Sequence, residues 1–254
     1  MIGTLIIGDE ILSGKRQDKH FAKVIELLGA RGLELSWAEY LGDDPDRITA
    51  TLARTFASTD IVFSFGGIGA TPDDHTRQSA AAALGRRIAR HPEAMQELEA
   101  RFGKDVSPQR AMMAEFPEGA QVVPNPFNRI CGFSVNAHFF FPGFPEMAWP
   151  MMQWVLDTKY AHLHRAALPA EETILVRKAG ESELIDAMNA VQRDYAGVKV
   201  SSLPQIDGPG GRLIELSIRG EPVQVAAAMR WFRGEVARLG FPFEDKLPVS
   251  RAST

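Results

Sequence analysis

A single cysteine, Cys131, stands among 254 residues. That excludes an intrachain disulfide and a cysteine-built zinc cluster, and the residue reads as a small buried apolar group. Charge of one sign is also lacking. With 28 basic against 32 acidic residues the net charge is −4, too little cationic field to hold nucleic acid or an anionic membrane surface. No apolar run reaches the length of a membrane span, and the first residues lack a charged stretch followed by a long apolar core, so no secretory signal is expected. There is no internal repeat and no low-complexity tract. A cytoplasmic protein of ordinary globular composition follows, with neither nucleic acid nor membrane as a partner.

What is present is an alternation of apolar strands and amphipathic helices. Thr4 to Ile7, Leu33 to Tyr40 and Ile61 to Phe65 read as strands. Between them, Phe21, Val24, Ile25 and Leu28 have helical spacing, as do Ile48, Leu52 and Phe56. Strands alternating with helices predict a mostly parallel sheet covered on both faces, and ligands in such sheets bind beyond the carboxyl ends of the strands. Three segments follow these strands directly: Gly8-Asp9-Glu10, Gly42-Asp43-Asp44 and Gly66-Gly67-Ile68-Gly69. All three are expected at one edge. Further helices are expected around Met95 to Phe102 and Pro108 to Ala114, then short strands at Val122-Val123, Phe133 to Val135 and His138 to Phe141. A rigid turn, Pro142-Gly143-Phe144-Pro145-Glu146, leads into a helix ending near Tyr160.

After an alanine-rich linker from His162 to Glu171 the order becomes strand, helix, strand, strand, helix, the pattern of a small split α+β unit. The predicted organisation is a first domain over residues 1–165, a second over 168–240, and a tail over 241–254 with no clear period, expected to be partly disordered. Gly208-Pro209-Gly210-Gly211 matches a Gly-x-x-Gly string, but it joins two predicted strands, and residues 168–254 carry 11 basic against 12 acidic residues. A hairpin turn is the reading.

The most informative stretch runs from Phe65 to Thr76. Its glycines lie on a strand-to-helix turn, where the backbone bends freely and a ligand can approach closely. A helix start offers free N–H groups to phosphate. The adjacent Asp73 and Asp74 would repel bare phosphate but could hold a divalent cation that bridges to one.

These segments together resemble the molybdopterin-binding family of MoaB and MogA, and within it the CinA amino-terminal region. Gly8-Asp9-Glu10-Ile11-Leu12-Ser13-Gly14 resembles the family's opening motif, and Gly42-Asp43-Asp44-Pro45 its Val-Gly-Asp turn. Gly66-Gly67-Ile68-Gly69 with Thr71, Asp73, Asp74 and Thr76 resembles Gly-Gly-Leu-Gly-Pro-Thr-x-Asp-Asp-x-Thr, and Pro142 to Met147 its Pro-Gly-x-Pro turn. The match covers roughly residues 1 to 160. Gly180 to Leu184 and the unit after it are similar to the KH-like middle domain of CinA proteins; their nicotinamide mononucleotide deamidase domain has no counterpart in these residues. The resemblance implies a three-layer α/β/α domain with a mostly parallel sheet, followed by a small α+β domain. Family members adenylate molybdopterin or are linked to metal-dependent hydrolysis of ADP-ribose, so function within the fold is not fixed. Two positions depart from the pattern: Phe65 replaces a frequent Thr, either to stack on a ring or to fill core, and Ala70 replaces a Pro.

The site residues follow from both readings. Asp43 and Asp74 are the catalytic candidates, and Asp43, Asp73 and Asp74 the candidate ligands of a Mg²⁺-type ion. Gly8, Glu10, Gly66, Gly67, Gly69, Thr71, Thr76, Pro142, Gly143 and Pro145 are the candidates for binding a molybdopterin or nucleotide ligand. A plainer account stands beside this one: Thr71 caps a helix, Pro72 opens it, and the two acids suit its first turn. His75 reads as a solvated helix residue and His138 as structural. No nucleophile elbow is present. The expectation is a homo-oligomer that binds a phosphate-containing small molecule and either acts at a pyrophosphate bond with a divalent metal or serves as a non-catalytic binding module.

Overall fold

The computed structural model describes residues 1–165, 169–207 and 211–246. The chain divides into two compact units, Met1–Ala166 and Ala167–Thr254. The first contains β1 (Ile2–Ile7), α1 (Asp9–Leu12), α2 (His20–Gly29), β2 (Trp37–Leu41), α3 (Pro45–Phe56), β3 (Ile61–Phe65), α4 (Thr76–Ala83), β4 (Ile88–Arg90), α5 (Pro92–Phe102), α6 (Pro108–Ala111), β5 (Glu115–Pro117), β6 (Gln121–Val123), β7 (Gly132–Val135), β8 (His138–Phe141) and α7 (Pro145–Thr158). The main sheet has the order β2-β1-β3-β8-β7-β6. Its first four strands are mutually parallel and the last two antiparallel, and β4 and β5 form a separate ribbon.

Alternation along the strands builds two cores, one on each sheet face. From β1, Ile2 and Ile6 enter one core with Val24 and Leu28 of α2 and Met151 and Val155 of α7. Leu5 and Ile7 enter the other with Ile48 and Leu52 of α3, Ala80 of α4 and Leu98 of α5. Every residue of β1 is buried, as a strand covered on both faces requires. The result is the three-layer α/β/α arrangement.

The boundaries differ from the sequence reading in instructive places. The second strand starts at Trp37, not Leu33, because the Leu33 N–H is drawn back to the Leu28 carbonyl at 2.9 Å and closes the end of α2. Helix α2 buries His20, Val24, Leu27 and Leu28, leaving Phe21 and Ile25 more exposed. A histidine thus takes an inward position assigned to an apolar residue. Helix α4 runs over Thr76–Ala83. Residues 71–74 form a separate turn, with the Asp74 N–H on the Thr71 carbonyl at 3.0 Å, so Thr71 is not a helix cap. By contrast, Asp44 caps α3 through its carboxylate, which accepts from the N–H groups of Asp46 and Arg47, with Pro45 opening the helix.

The second unit contains β9 (Ala170–Arg177), α8 (Glu181–Asp194), β10 (Lys199–Asp207), β11 (Gly211–Gly220), α9 (Pro222–Arg238) and β12 (Phe243–Lys246). Its antiparallel sheet has the order β10-β11-β9-β12, the split β-α-β arrangement. Ile174, Val176, Leu216, Leu184, Met229 and Phe232 form its core. Within the stretch expected as a tail lies the strand β12: Phe243–Lys246 pairs with β9, and Arg177 and Arg233 hold Glu244 and Asp245 at 2.8 Å each. Of the expected glycine turn, Gly208, Pro209 and Gly210 lie outside the described residues, but β10 and β11 flank them in antiparallel register up to Asp207↔Gly211.

Candidate functional site

The carboxyl ends of β2, β1, β3 and β8 lie side by side, and the segments that follow them are stitched together. The Gly8 N–H donates to the Leu41 carbonyl and the Gly66 N–H to the Phe141 carbonyl, both at 3.0 Å. Asp9 and Asp43 form a reciprocal pair: the Asp9 N–H donates to the Asp43 carboxylate at 2.8 Å, and the Asp43 N–H to the Asp9 carboxylate at 3.2 Å. Gly66 has φ +102°, and a Cβ there would lie 2.1 Å from the Ile7 carbonyl oxygen. Only glycine lets β1 and β3 close at this point. The turn is then locked from the helix side. The Thr76 hydroxyl donates to the Gly66 carbonyl at 3.0 Å, and its N–H to that of Gly67 at 2.9 Å. A Cβ on Gly67 would strike the Thr76 hydroxyl at 2.3 Å. The N–H groups of Gly67, Ile68 and Gly69 donate to no acceptor among the described residues.

The two catalytic candidates do not converge. Asp74 turns back on its own loop and accepts from the N–H of Thr71 at 2.7 Å and from the Thr71 hydroxyl. The Asp74 carboxylate also sits against Gly69, where a Cβ would meet it at 2.5 Å. Asp43 instead faces a shallow acidic depression with Asp9, Glu10 and Asp73, bordered by Lys15. Burial, and then the charges of Asp9, Glu10 and Asp73, hold the Asp43 carboxyl above its ordinary range despite the opposing Asp9 N–H. Among the described residues no group of three or more His, Cys, Asp or Glu side chains is arranged to hold a metal ion. Asp43 and Asp74 each commit one carboxylate oxygen to a backbone donor, the Asp9 N–H and the Thr71 N–H, and serve different turns.

Beside the acidic depression, and sharing Glu10 with it, lies a cleft of about 280 Å³. Its floor is Ile6, Ile7, Ile11 and Phe65; its walls are His20 and the turn Gly143 to Glu146; Arg16, Gln17 and Lys19 complete it. Of the residues expected to bind ligand, Glu10, Gly143 and Pro145 line this cleft. Gly8, Gly66, Gly67, Gly69, Thr71, Thr76 and Pro142 do not; Thr76 and Pro142 are buried. Phe65, one of the two departures from the family pattern, fills core: it stacks on His20 at 4.5 Å and packs on Phe141 at 5.3 Å.

Residues that the sequence reading passed over shape this cleft. Asp18 accepts from the N–H groups of His20 and Phe21 at the start of α2, and from the Tyr40 hydroxyl at 2.8 Å. Burial, with Asp18 beside it, pushes the Tyr40 phenol up to about 12. His20 donates from Nε2 to the Gly143 carbonyl at 3.1 Å, and burial lowers its pKa so that the ring stays neutral. The Arg16 guanidinium lies 5.6 Å from the Phe144 ring centre, and Phe144 is 52 % exposed. Arg77, fully buried, donates to the carbonyls of Gly69, Met112 and Glu115 at 2.6, 2.5 and 3.1 Å and anchors the glycine turn from behind. Residues 13–19 carry no periodic pattern, so only the rule that a sheet's carboxyl edge gathers its neighbours could have drawn attention to them.

The sequence model of a family described as "Probable molybdopterin binding domain" matches residues 3–162. A CinA-like protein of Geotalea uraniireducens (strain Rf4) is 29 % identical over 248 residues, 93 % of this chain and 58 % of the relative. A CinA-like protein of Anaeromyxobacter sp. (strain Fw109-5) is 32 % identical over 200 residues, 76 % of this chain and 48 % of the relative. The chain thus spans about half the length of the curated relatives it matches. A crystal structure of the protein CinA, of unknown function, from Thermoplasma acidophilum superposes with a TM-score of 0.56 at 24 % identity, covering 61 % of this chain and 96 % of that one, a likeness of fold. The family match over residues 3–162 places the chain in the molybdopterin-binding domain family, in which its curated relatives are CinA-like proteins.

Proposed function

We propose that the first unit is a binding module for a phosphorylated heterocycle, molybdopterin or a nucleotide, seated in the cleft between α1, the start of α2 and the turn after β8. The observation that carries this reading is the cleft itself. An apolar floor meets two cations, Arg16 and Lys19, and a half-exposed aromatic, Phe144, the mixture of apolar wall and few placed polar groups usual for a small-ligand site. A thermal-shift screen of nucleotide and pterin phosphates, each with and without Mg²⁺, tests it. A specific ligand raises the melting temperature by mass action, and the rise is expected without metal. No rise with any phosphorylated ring sinks the reading. Turnover of ADP-ribose on adding Mg²⁺ would replace it with a metal-assisted reaction at the pyrophosphate bond.

A further inference from the structure

His20 combines two properties in the cleft wall. It is only 5 % exposed, and its ring nitrogens have different fates. Nε2 faces the Gly143 carbonyl at 3.1 Å. A carbonyl oxygen can only accept, so the neutral ring carries its hydrogen on Nε2. Nδ1 is left as a bare acceptor, and no donor among the described residues reaches it although it is buried. Leaving a buried acceptor unpaired is costly, and the position is held rigidly: Phe65 backs the ring at 4.5 Å with an interplanar angle of 21°, and Asp18 fixes the backbone N–H of His20 at 2.7 Å. His138 also has an unpaired Nδ1, but it lies in the closed core against Phe56 and lines neither the cleft nor the acidic depression. His20 is a residue with an unpaired buried acceptor that also lines the cleft, beside Arg16, Lys19, Glu10 and Glu146.

We propose that His20 is a specificity-determining residue of this cleft: its Nδ1 accepts a hydrogen bond from an N–H donor on the edge of the ligand's ring. The inference rests on the cleft being the ligand site. The ligand class it names is a phosphorylated nitrogen heterocycle with an amide or amino N–H on its ring edge, chemistry shared by guanine and pterin. A ring without such a donor leaves Nδ1 unpaired in the complex and is rejected on that account.

The test is calorimetric titration of the full chain with three probes: guanosine 5′-monophosphate, a pterin phosphate, and purine riboside 5′-monophosphate, whose ring has no N–H donor. The native protein is expected to bind at least one donor-bearing ring about tenfold or more tighter than the donor-free one, and whichever binds identifies the source. In His20→Gln the side-chain amide can still reach the Gly143 carbonyl, but no acceptor stands at the place of Nδ1, so the preference falls towards unity. His20→Asn puts an amide oxygen there and keeps part of the preference. An unchanged preference in His20→Gln with an unchanged melting temperature overturns the proposal, as does native binding of all three probes alike. Those two results leave the cleft reading standing. Failure of every probe to bind the native protein removes the cleft reading and the proposal together. Should His20→Gln fail to fold, His20→Asn decides: part of the preference kept supports the proposal, and its complete loss at an unchanged melting temperature overturns it.

Discussion

At the scale of single residues the two aspartates singled out by motif have opposite energetics. Burial, and then three like-charged neighbours, disfavour the charged form of Asp43. A folded pKa raised above the unfolded value means that stability is lost as pH rises through that window and stays lost above it. Asp43→Asn keeps an oxygen for the Asp9 N–H and removes the repulsion, so its melting temperature at pH 7 is expected to rise. Asp74→Ala removes two acceptor contacts to Thr71 and is expected to cost about 1–2 kcal/mol. Thermal melts of both variants check the pair; a lowered Asp43→Asn melt or an unchanged Asp74→Ala melt contradicts it. His138 supplies a pH signature. Burial pushes its pKa down to about 4, while its Nε2 meets the Thr55 hydroxyl at 3.0 Å. Below about 6.5 the unfolded chain takes up a proton that the folded one refuses until about 4, so stability falls as pH drops through that interval, by up to about 1.4 kcal/mol per unit. His20, lowered in the same direction, adds to the fall. Urea denaturation between pH 7 and pH 4.5 should show the decline, reduced in His138→Asn; a flat native profile would rule it out.

At the scale of elements the glycine turn is a joint between β1, β3 and α4, with few of its atoms left over for a ligand. Gly66→Ala would drive a Cβ to 2.1 Å from the Ile7 carbonyl at a φ of +102°. Backbone strain of this kind costs roughly 1–3 kcal/mol before any clash is counted, so a loss of about 3 kcal/mol or more, or insoluble protein, is expected from denaturant titration. A loss below 1 kcal/mol would mean that the strand ends can separate freely. Strand composition located β3 to the residue, and helical spacing located α3, since those signals are local; the Asp44 cap came with the structure. The role of Thr71 was not legible, because it could serve as a cap or as a donor to Asp74, and only the bond from Thr76 to Gly66, ten residues away, decides between them.

At the scale of the whole molecule each unit carries a separate hydrophobic core. Three of the four tryptophans, Trp37, Trp149 and Trp154, lie in the first unit and Trp231 in the second. With independent cores, residues 1–165 and 169–246 are each expected to melt cooperatively when expressed alone. The Trp231 fluorescence transition of the full chain should then match that of the isolated second unit. A Trp231 transition found only in the full chain would show that the second unit depends on the first. The short strand β12 bears on this: Phe243–Lys246 closes the second sheet's edge, so a fragment ending at residue 240 is expected to be less stable than one ending at 246.

What the sequence by itself determined was the periodic part. Apolar runs of strand length alternate with helices of period 3.6, and these require a sheet covered on both faces, with Gly8, Asp43 and Gly66 brought to the carboxyl edge. Periodicity is a property of neighbours along the chain, and it survives without knowledge of what packs against them. The tertiary structure decided which side chains meet: Asp43 with Asp9 at 34 residues' separation and His20 with Gly143 at 123. Hydrogen bonds form or fail within a few tenths of an ångström, a precision that residue spacing does not carry. The tertiary structure thereby set Asp74 on the Thr71 N–H of its own loop, and made an inward histidine of α2 a wall of the cleft.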